Sequence, residues 1–219
     1  MSVDVSTRMG LLSSTILVLL LAAPAASVGQ QSADRYVVIL SPDEGDDRVA
    51  STREAITFWN QTFTELALRI RLRETEIIVG SPAGRALETY ARLISQRAGQ
   101  LVAGGAGPTP PRELADVGGN IVVFLSKQEI MSFAWPVADS TRFFIAIRTD
   151  RGPPLSDPNV SRNVIAHELG HALGLTHNGG ATALMCGPCQ PVGFRSEEPV
   201  FFPLTSEDRA RLLERYTGW

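Results

Sequence analysis

The segment of residues 166–178, AHELGHALGLTHN, constrains the fold more than any other part of the 219-residue chain. It contains the pattern His-Glu-x-x-His-x-x-Gly-x-x-His, and the three histidines of the chain all belong to it. Residues four apart on an α-helix lie on one face, so His167 and His171 can direct two imidazoles at one point. The pattern therefore predicts a helix that presents two nitrogen ligands to a metal ion, and this ligand type favours Zn²⁺.

Gly174 accounts for the third histidine of the pattern. A helix that continued beyond Gly174 would carry His177 roughly 9 Å along the axis from His171 and about 120° around it. Glycine readily adopts the left-handed conformation that ends helices, so a turn there would bring His177 back to the other two. Three protein ligands leave a fourth position open for water, as in catalytic zinc sites. Glu168 is too close in sequence to the first histidine to be a ligand, and we predict that it is the base that deprotonates this water.

The alternative is an ordinary amphipathic helix whose histidines only make hydrogen bonds. A bare His-Glu-x-x-His occurs on such helices by chance, whereas the extended pattern with its glycine and third histidine is far rarer. A metal site is therefore the interpretation that accounts for all five positions.

The extended pattern is the signature of the metzincin metallopeptidases, and the chain resembles this family. A second family feature is a methionine in a tight turn below the zinc site, and Met185 follows His177 by eight residues in the run TALMCGP. This spacing and the segment HELGHALGLTH are most similar to the matrixin branch. The resemblance implies a Met-turn at Met185 and a general base at Glu168. It also implies one catalytic zinc ion, bound by His167, His171 and His177.

The same resemblance implies an α+β fold with a twisted mixed β-sheet, an active-site helix and a C-terminal helix. Residues 53–61 resemble the first helix of matrixins, and residues 204–216 resemble their last helix. In such an arrangement the strand at residues 143–148 would form the edge of the cleft, where a peptide substrate pairs as an added strand. Residues 190–203 would then wall the pocket that receives the residue after the scissile bond.

The chain departs from the matrixin pattern at several positions. Asn178 follows the third histidine, where matrixins usually have Ser, and Cys186 follows the methionine, where they usually have Tyr. Residues 80–119 are longer than the corresponding connection, and we predict an insertion or a long loop there, with room for an additional helix. We also expect no latency through the zinc-blocking cysteine of the family's prodomains.

Hydrophobic periodicity predicts the other elements. Strands are predicted at residues 35–40, 68–79, 120–126 and 142–150. Helices are predicted at residues 51–66, 83–98, 160–174 and 205–216, with capping boxes at residues 51–54 and 205–208. Leu93 and Leu213 are assigned to the inner faces of the second and last helices. A regular β-α-β alternation is not evident in this order, which also indicates an α+β fold.

The N-terminal region differs from the rest of the chain. Residues 10–26 form an uncharged, mostly apolar run that ends in small residues, which is typical of a secretory signal peptide. We therefore predict a signal peptide over residues 1–26, a single catalytic domain over residues 27–219, and a secreted or periplasmic location. The alternative is an uncleaved membrane anchor, although the run is short for a span.

Composition limits the partners. The net charge is −3 and no block of like charges occurs, so there is no electrostatic reason to expect nucleic acid or an anionic membrane surface. We expect a monomer that, once its signal is cleaved, acts on a peptide or protein substrate away from the membrane. The acidic run at residues 43–47 offers ligands for Ca²⁺, but a solvated turn is the simpler interpretation.

The two cysteines of the chain, Cys186 and Cys189, form a CGPC sequence directly after Met185. In thioredoxin-like proteins this sequence lies at the start of a helix. Here it is followed by Gln-Pro-Val-Gly, a sequence that does not favour a helix. In an oxidising compartment the pair would instead form a local disulfide, which is our main prediction. A third interpretation is that reduced Cys186 reaches the zinc ion as a fourth ligand.

The motif and the resemblance together imply an exported zinc-dependent endopeptidase. The alternative is a non-catalytic, zinc-stabilised binding protein on the same fold. A third hypothesis is a surface protein tethered by its N-terminal apolar run.

Overall fold

The computed structural model describes residues 34–97, 107–138, 140–152, 154, 156–189 and 200–217. The predicted signal peptide lies outside the described residues, as does most of the predicted pocket wall at residues 190–203. The strands are β1 (Arg35–Ser41), β2 (Leu72–Val79), β3 (Ile121–Leu125), β4 (Phe133–Pro136) and β5 (Phe143–Ile147). The helices are α1 (Asp47–Glu65), α2 (Gly84–Arg97), α3 (Arg112–Asp116), α4 (Pro158–Ala172) and α5 (Ser206–Tyr216).

The strands form one mixed sheet in the order β2-β1-β3-β5-β4. The first four strands of this order are parallel to their neighbours, and β4 is antiparallel to β5 at one edge. The mixed sheet, a helix that carries the histidine motif and a C-terminal helix were all predicted. Among the described elements, β1 and β2 are parallel partners joined through α1 and so form one β-α-β unit.

Helices cover both faces of the sheet. One face packs against α1, α4 and α5, and its core contains Trp59, Phe63 and Leu169. The other face packs against α2 and α3, with Tyr90 and Phe144 in its core. Because both faces are covered, β3 is buried at all five positions, which explains its unbroken apolar run.

The start of α1 differs from the prediction. The helix begins at Asp47, four residues before the predicted capping box, because the Asp46 side chain accepts a hydrogen bond from the Arg48 N–H and caps it. Arg48 is itself buried and its guanidinium donates to the Ser126 carbonyl at 2.8 Å. Ser51, the predicted cap, is instead a buried position inside the helix.

Two predicted inner positions are also wrong. Leu93 in α2 and Leu213 in α5 are each 38% exposed, while their neighbours Ile94 and Leu212 are fully buried. Three or four apolar positions do not fix the buried face of a helix to better than one residue. Where two adjacent residues are both apolar, as here, the sequence does not show which of them faces the core. The predicted long loop at residues 80–119 contains α2 and, near its end, the single-turn helix α3.

Helix α1 packs against α4 and is bonded to it at two places. The Trp59 indole N–H donates to the Ala166 carbonyl at 2.9 Å, and Trp59 is fully buried. An ion pair between Glu54 and Arg162 joins the same two helices nearer their N-termini. These contacts, together with the shared core on that face of the sheet, hold the histidine-bearing helix in place without a metal ion. Within the part of the chain that is described, no helix is long and apolar enough to cross a membrane.

Candidate metal centre

Helix α4 has well-defined ends. At its start the Asp157 side chain accepts from the Asn159 N–H at 2.8 Å, and Pro158 occupies the first turn, where its missing N–H costs nothing. At its end Gly174 has φ of +94°, and the Leu175 N–H donates back to the Gly170 carbonyl at 3.0 Å. This is the glycine-terminated turn that the sequence predicted, and only glycine adopts that φ without strain.

The turn brings the three imidazoles together. The Nε2 atoms of His167 and His171 are 3.1 Å apart, and each is 3.2 Å from Nε2 of His177. Three corners of a tetrahedron with Zn–N bonds near 2.0–2.1 Å would be separated by about 3.3 Å. The spacing of the three nitrogens therefore fits one tetrahedral zinc ion with a fourth position left over, and these residues form a group that could hold a metal.

Main-chain carbonyls fix the protonation of two of these rings. Nδ1 of His167 lies 2.7 Å from the Leu184 oxygen, and Nδ1 of His171 lies 2.9 Å from the Leu175 oxygen. A carbonyl only accepts, so each Nδ1 carries the proton and each Nε2 presents a lone pair to the same point. Converging lone pairs repel one another unless a cation lies between them, which is the chemical reason that a metal fits.

Burial favours the neutral form of His167 and His171, which is the form in which histidine binds a metal. Burial lowers the pKa of His167 to about 4, against a smaller opposing effect of its bond to Leu184. Burial also lowers the pKa of His171. A neutral histidine needs no deprotonation before it binds a metal at neutral pH.

Glu168 lies in the same cleft as the histidines. The cleft has a volume of about 490 Å³ and is lined by the three histidines, Glu168, β4 and the turn that contains the two cysteines. The residue is only 7% exposed, and burial raises the pKa of its carboxyl group to about 8, against a smaller opposing effect of a hydrogen bond from the Ala134 main chain. A carboxyl group with a pKa near neutrality can both accept and return a proton.

Met185 packs against the helix that carries the first two histidines. It is fully buried, and its Sδ lies so close to α4 that a Cβ at Gly170 would be 2.5 Å from it. The Asn178 N–H donates to the Met185 carbonyl at 2.7 Å, and the Gly187 N–H donates to the Asn178 carbonyl at 3.1 Å. The segment after the third histidine and the turn at Met185 are thus held together as a short two-stranded pair.

The C-terminal helix holds the same segment in place, which the sequence did not predict. The Asn178 amide donates to the Asp208 carboxylate at 2.8 Å, and Asp208 also accepts from the Thr205 N–H in the capping box of α5. The Tyr216 hydroxyl donates to the Leu173 carbonyl at the end of α4. The only indication of this contact in the sequence was Asn178 itself, at the position where matrixins usually have Ser. Its partner Asp208 is brought next to it only by the fold.

The edge of the cleft is β4 and not the strand at residues 143–148, which had been expected there. That strand, β5, lies inside the sheet between β3 and β4, so its edges are already paired. The sequence missed β4 because it has four residues and ends in Pro136, which is poor strand material. The Ala134 main chain that contacts Glu168 was missed with it, since a main-chain donor has no sequence signature.

The predicted disulfide between Cys186 and Cys189 is confirmed, with the two Cα atoms 4.9 Å apart. Both residues line the cleft beside the histidines. In the acidic run, Asp46 pairs with Arg48 and Asp43 pairs with Lys127. Among the described residues, this run does not form a group of ligands close enough to hold a metal, and its geometry is that of a turn.

No family model matches the chain, and no curated protein matches it. Among solved structures it is similar to archaemetzincin from Methanopyrus kandleri, with 13% identity, a TM-score of 0.45, and coverage of 88% of this chain and 100% of that chain. It is also similar to a chain in a chaperone–substrate complex, with 18% identity and a TM-score of 0.44. That match covers 70% of this chain but only 28% of the other. Both similarities are too distant to support a functional inference.

Proposed function

We propose that the protein is an exported zinc-dependent endopeptidase of the metzincin type, most similar to matrixins. The observation that carries the proposal is the convergence of three Nε2 atoms, 3.1–3.2 Å apart, beside a buried carboxyl group in a cleft open to solvent. Structural zinc sites are closed by four protein ligands, whereas three ligands and a neighbouring base are the layout of hydrolytic sites.

His167, His171 and His177 would hold the zinc ion. When bound there, zinc supplies a Lewis acid that lowers the pKa of a water molecule and polarises the scissile carbonyl. The hydrogen bonds from Nδ1 of His167 and His171 keep the rings oriented, because rotation of either ring would break its bond to a carbonyl.

Glu168 would act as the general base. One of its carboxylate oxygens takes a proton from the attacking water, and the same carboxyl group then returns that proton to the leaving amine nitrogen. The Ala134 hydrogen bond holds the carboxyl group against β4. Burial helps the second step, because it favours the protonated form that must be the acid.

The substrate would be an extended peptide segment. Strand β4 is at the edge of the sheet and also lines the cleft, so a peptide could add to it as a further strand and pass the histidines. Main-chain pairing of this kind tolerates varied sequences. Residues 1–26 would direct export, and residues 27–219 would be the mature catalytic domain, active as a monomer in the periplasm or outside the cell.

The proposal is tested on the purified mature chain. We expect about one zinc ion per chain, cleavage of an unfolded protein, and loss of cleavage by at least about a hundredfold in Glu168→Gln, in line with the usual contribution of a general base. Zinc content should be unchanged in this variant. Glu76→Gln, which changes an exposed glutamate in β2, is the matched control and should cut normally.

Two outcomes would contradict the proposal. Equal cleavage by the wild type and Glu168→Gln would assign the activity to a contaminant. Stoichiometric zinc without cleavage of any member of a broad peptide library would favour the alternative, a zinc-stabilised binding protein. N-terminal sequencing of exported material separately tests the leader, because a start near residue 27 excludes a membrane tether.

A further inference from the structure

The proposed mechanism does not use the disulfide, although the disulfide lies at the metal centre. The Sγ atoms of Cys186 and Cys189 and a ring nitrogen of His167 all lie within 4.8 Å of one another, which makes these three residues a second group that could hold a metal. The two groups share His167. Both cysteines also line the same cleft as the three histidines.

The turn that carries the sulfur atoms is fixed against the histidines. Asn178 pairs with Met185 on one side of Cys186 and with Gly187 on the other. The Gly187 main chain lies against the His177 ring, where a Cβ would be 2.7 Å from Cγ of the imidazole. Cys186 is 3% exposed and Cys189 is exposed. Breaking the S–S bond would therefore leave Cys186 held in place and Cys189 accessible to solvent, with its Sγ 3.1 Å from the Cys186 carbonyl oxygen.

We propose that this disulfide is a redox switch: its reduction frees a thiol that binds the zinc ion as the fourth ligand. The proposal rests on zinc binding by the three histidines, which is part of the proposed function. A dithiol is the reductant. It forms an internal disulfide of its own, while the S–S bond of Cys186–Cys189 gains two electrons and two protons and becomes two thiols. The thiol that binds zinc releases its proton to solvent.

The switch would keep the chain inactive wherever thiols stay reduced. Thiolate is a strong zinc ligand, and a fourth protein ligand converts an open, hydrolytic site into a closed one. Oxidation withdraws the sulfur atom into the S–S bond and reopens the position for water. Export into an oxidising compartment would thus activate the chain, because disulfides persist there and are rare in the cytosol.

The experiment uses the mature chain with Co²⁺ in place of zinc, because a cobalt–thiolate bond gives near-ultraviolet charge-transfer absorption that histidine ligands do not give. A phosphine reduces the disulfide without adding a competing thiol; it becomes a phosphine oxide, whose oxygen comes from water. We expect no such band in the oxidised chain, a band after reduction, and its disappearance on reoxidation. Cys186→Ser/Cys189→Ser is the matched control and should show no band in either condition.

Two further readouts accompany the spectra. Reduction should slow exchange of bound zinc to a competing chelator in the wild type but not in the double variant. Where peptide cleavage is present, reduction should lower the rate by at least about tenfold in the wild type alone, since the open position is then filled. The single variants Cys186→Ser and Cys189→Ser, kept reduced, identify the ligand: the band is lost with the sulfur that binds.

The outcomes separate the two proposals. Cleavage that depends on Glu168 but is unaffected by reduction, together with no cobalt–thiolate band, overturns the switch and leaves the peptidase proposal intact. A reversible band in a chain that cuts no peptide supports the switch and overturns the peptidase proposal. If neither redox form binds Co²⁺ or Zn²⁺, both are overturned.

Discussion

At the scale of single residues, the sequence predicts a functional group where a side chain supplies it and does not where the main chain supplies it. Four side chains of the site, those of His167, Glu168, His171 and His177, follow from one spaced pattern, and the structure brings them to one cleft. Met185 was predicted from a separate spacing, and it packs against α4 at Gly170. The Leu184 carbonyl and the Ala134 N–H could not have been predicted. They are main-chain groups, and any residue type at those positions would supply them.

Tyr90 offers a test of a buried polar group away from the metal centre. Its hydroxyl is buried against the sheet and has no hydrogen-bond partner among the described residues, and burial raises its pKa to about 12. An unpaired buried hydroxyl destabilises the fold, so Tyr90→Phe should leave the free energy of unfolding unchanged or raise it by up to about 1 kcal/mol. Urea unfolding of the metal-free chain measures the difference.

Tyr216 provides the matched control, because its hydroxyl donates to the Leu173 carbonyl at 3.0 Å. Tyr216→Phe leaves that buried carbonyl without this donor and should lower the free energy of unfolding by about 1–2 kcal/mol. If Tyr90→Phe destabilises the chain as much as Tyr216→Phe does, the Tyr90 hydroxyl has a partner and the interpretation is wrong.

At the scale of elements, two helix ends with adjacent signals were easier to place than the short strand. The capping box at the start of α5 and the glycine at the end of α4 predicted those ends correctly, because each end is set by a few adjacent residues. Strand β4 has no such signal. Its four residues become a strand only because β5 lies beside them, which is a contact distant in sequence.

The contact between Asn178 and Asp208 links the C-terminal helix to the third histidine. Asn178 follows His177 directly, so its hydrogen bond to Asp208 limits where the imidazole can point. Asn178→Ala should weaken zinc binding by roughly 10–100-fold, the usual effect of losing a group that orients a ligand. Competition with a chromophoric chelator measures the affinity.

Thr205→Ala is the matched control for this prediction. It removes the cap of α5 at a cost of about 1 kcal/mol, together with the Thr205 hydroxyl that donates to Asp208, but it changes neither Asn178 nor Asp208. A general loss of stability would affect zinc binding in both variants alike. Equal zinc affinities in Asn178→Ala and Thr205→Ala would show that the contact supports α5 only and does not orient His177.

At the scale of the whole molecule, the sequence could predict a mixed sheet but not its order. Strand order depends on which strands become neighbours, and the parallel pairs β1–β2 and β1–β3 both join segments far apart in the chain. That order places β5 inside the sheet and β4 beside α4, so it also decides which strand borders the cleft. The wrong expectation about the cleft edge therefore came from topology, while the ligand pattern needed no knowledge of it.

Metal binding should stabilise the entire domain, since the proposed ligands come from α4 and from the segment that α5 and the Met185 turn hold. A ligand that binds only the folded state at one hundred times its dissociation constant stabilises it by about 2.7 kcal/mol. For a domain of this size, that corresponds to a rise in Tm of about 5–10 °C. Removing zinc with a chelator should lower Tm by this amount, and adding zinc back should restore it.

His177→Ala separates a zinc effect from a general effect of the chelator. His177 is exposed, so in the metal-free chain its loss should change the free energy of unfolding by no more than about 0.5 kcal/mol. With a ligand removed, however, zinc should no longer raise Tm by the amount seen in the wild type. If zinc raises Tm equally in His177→Ala and in the wild type, the ion binds elsewhere and the three converging nitrogens are not its site.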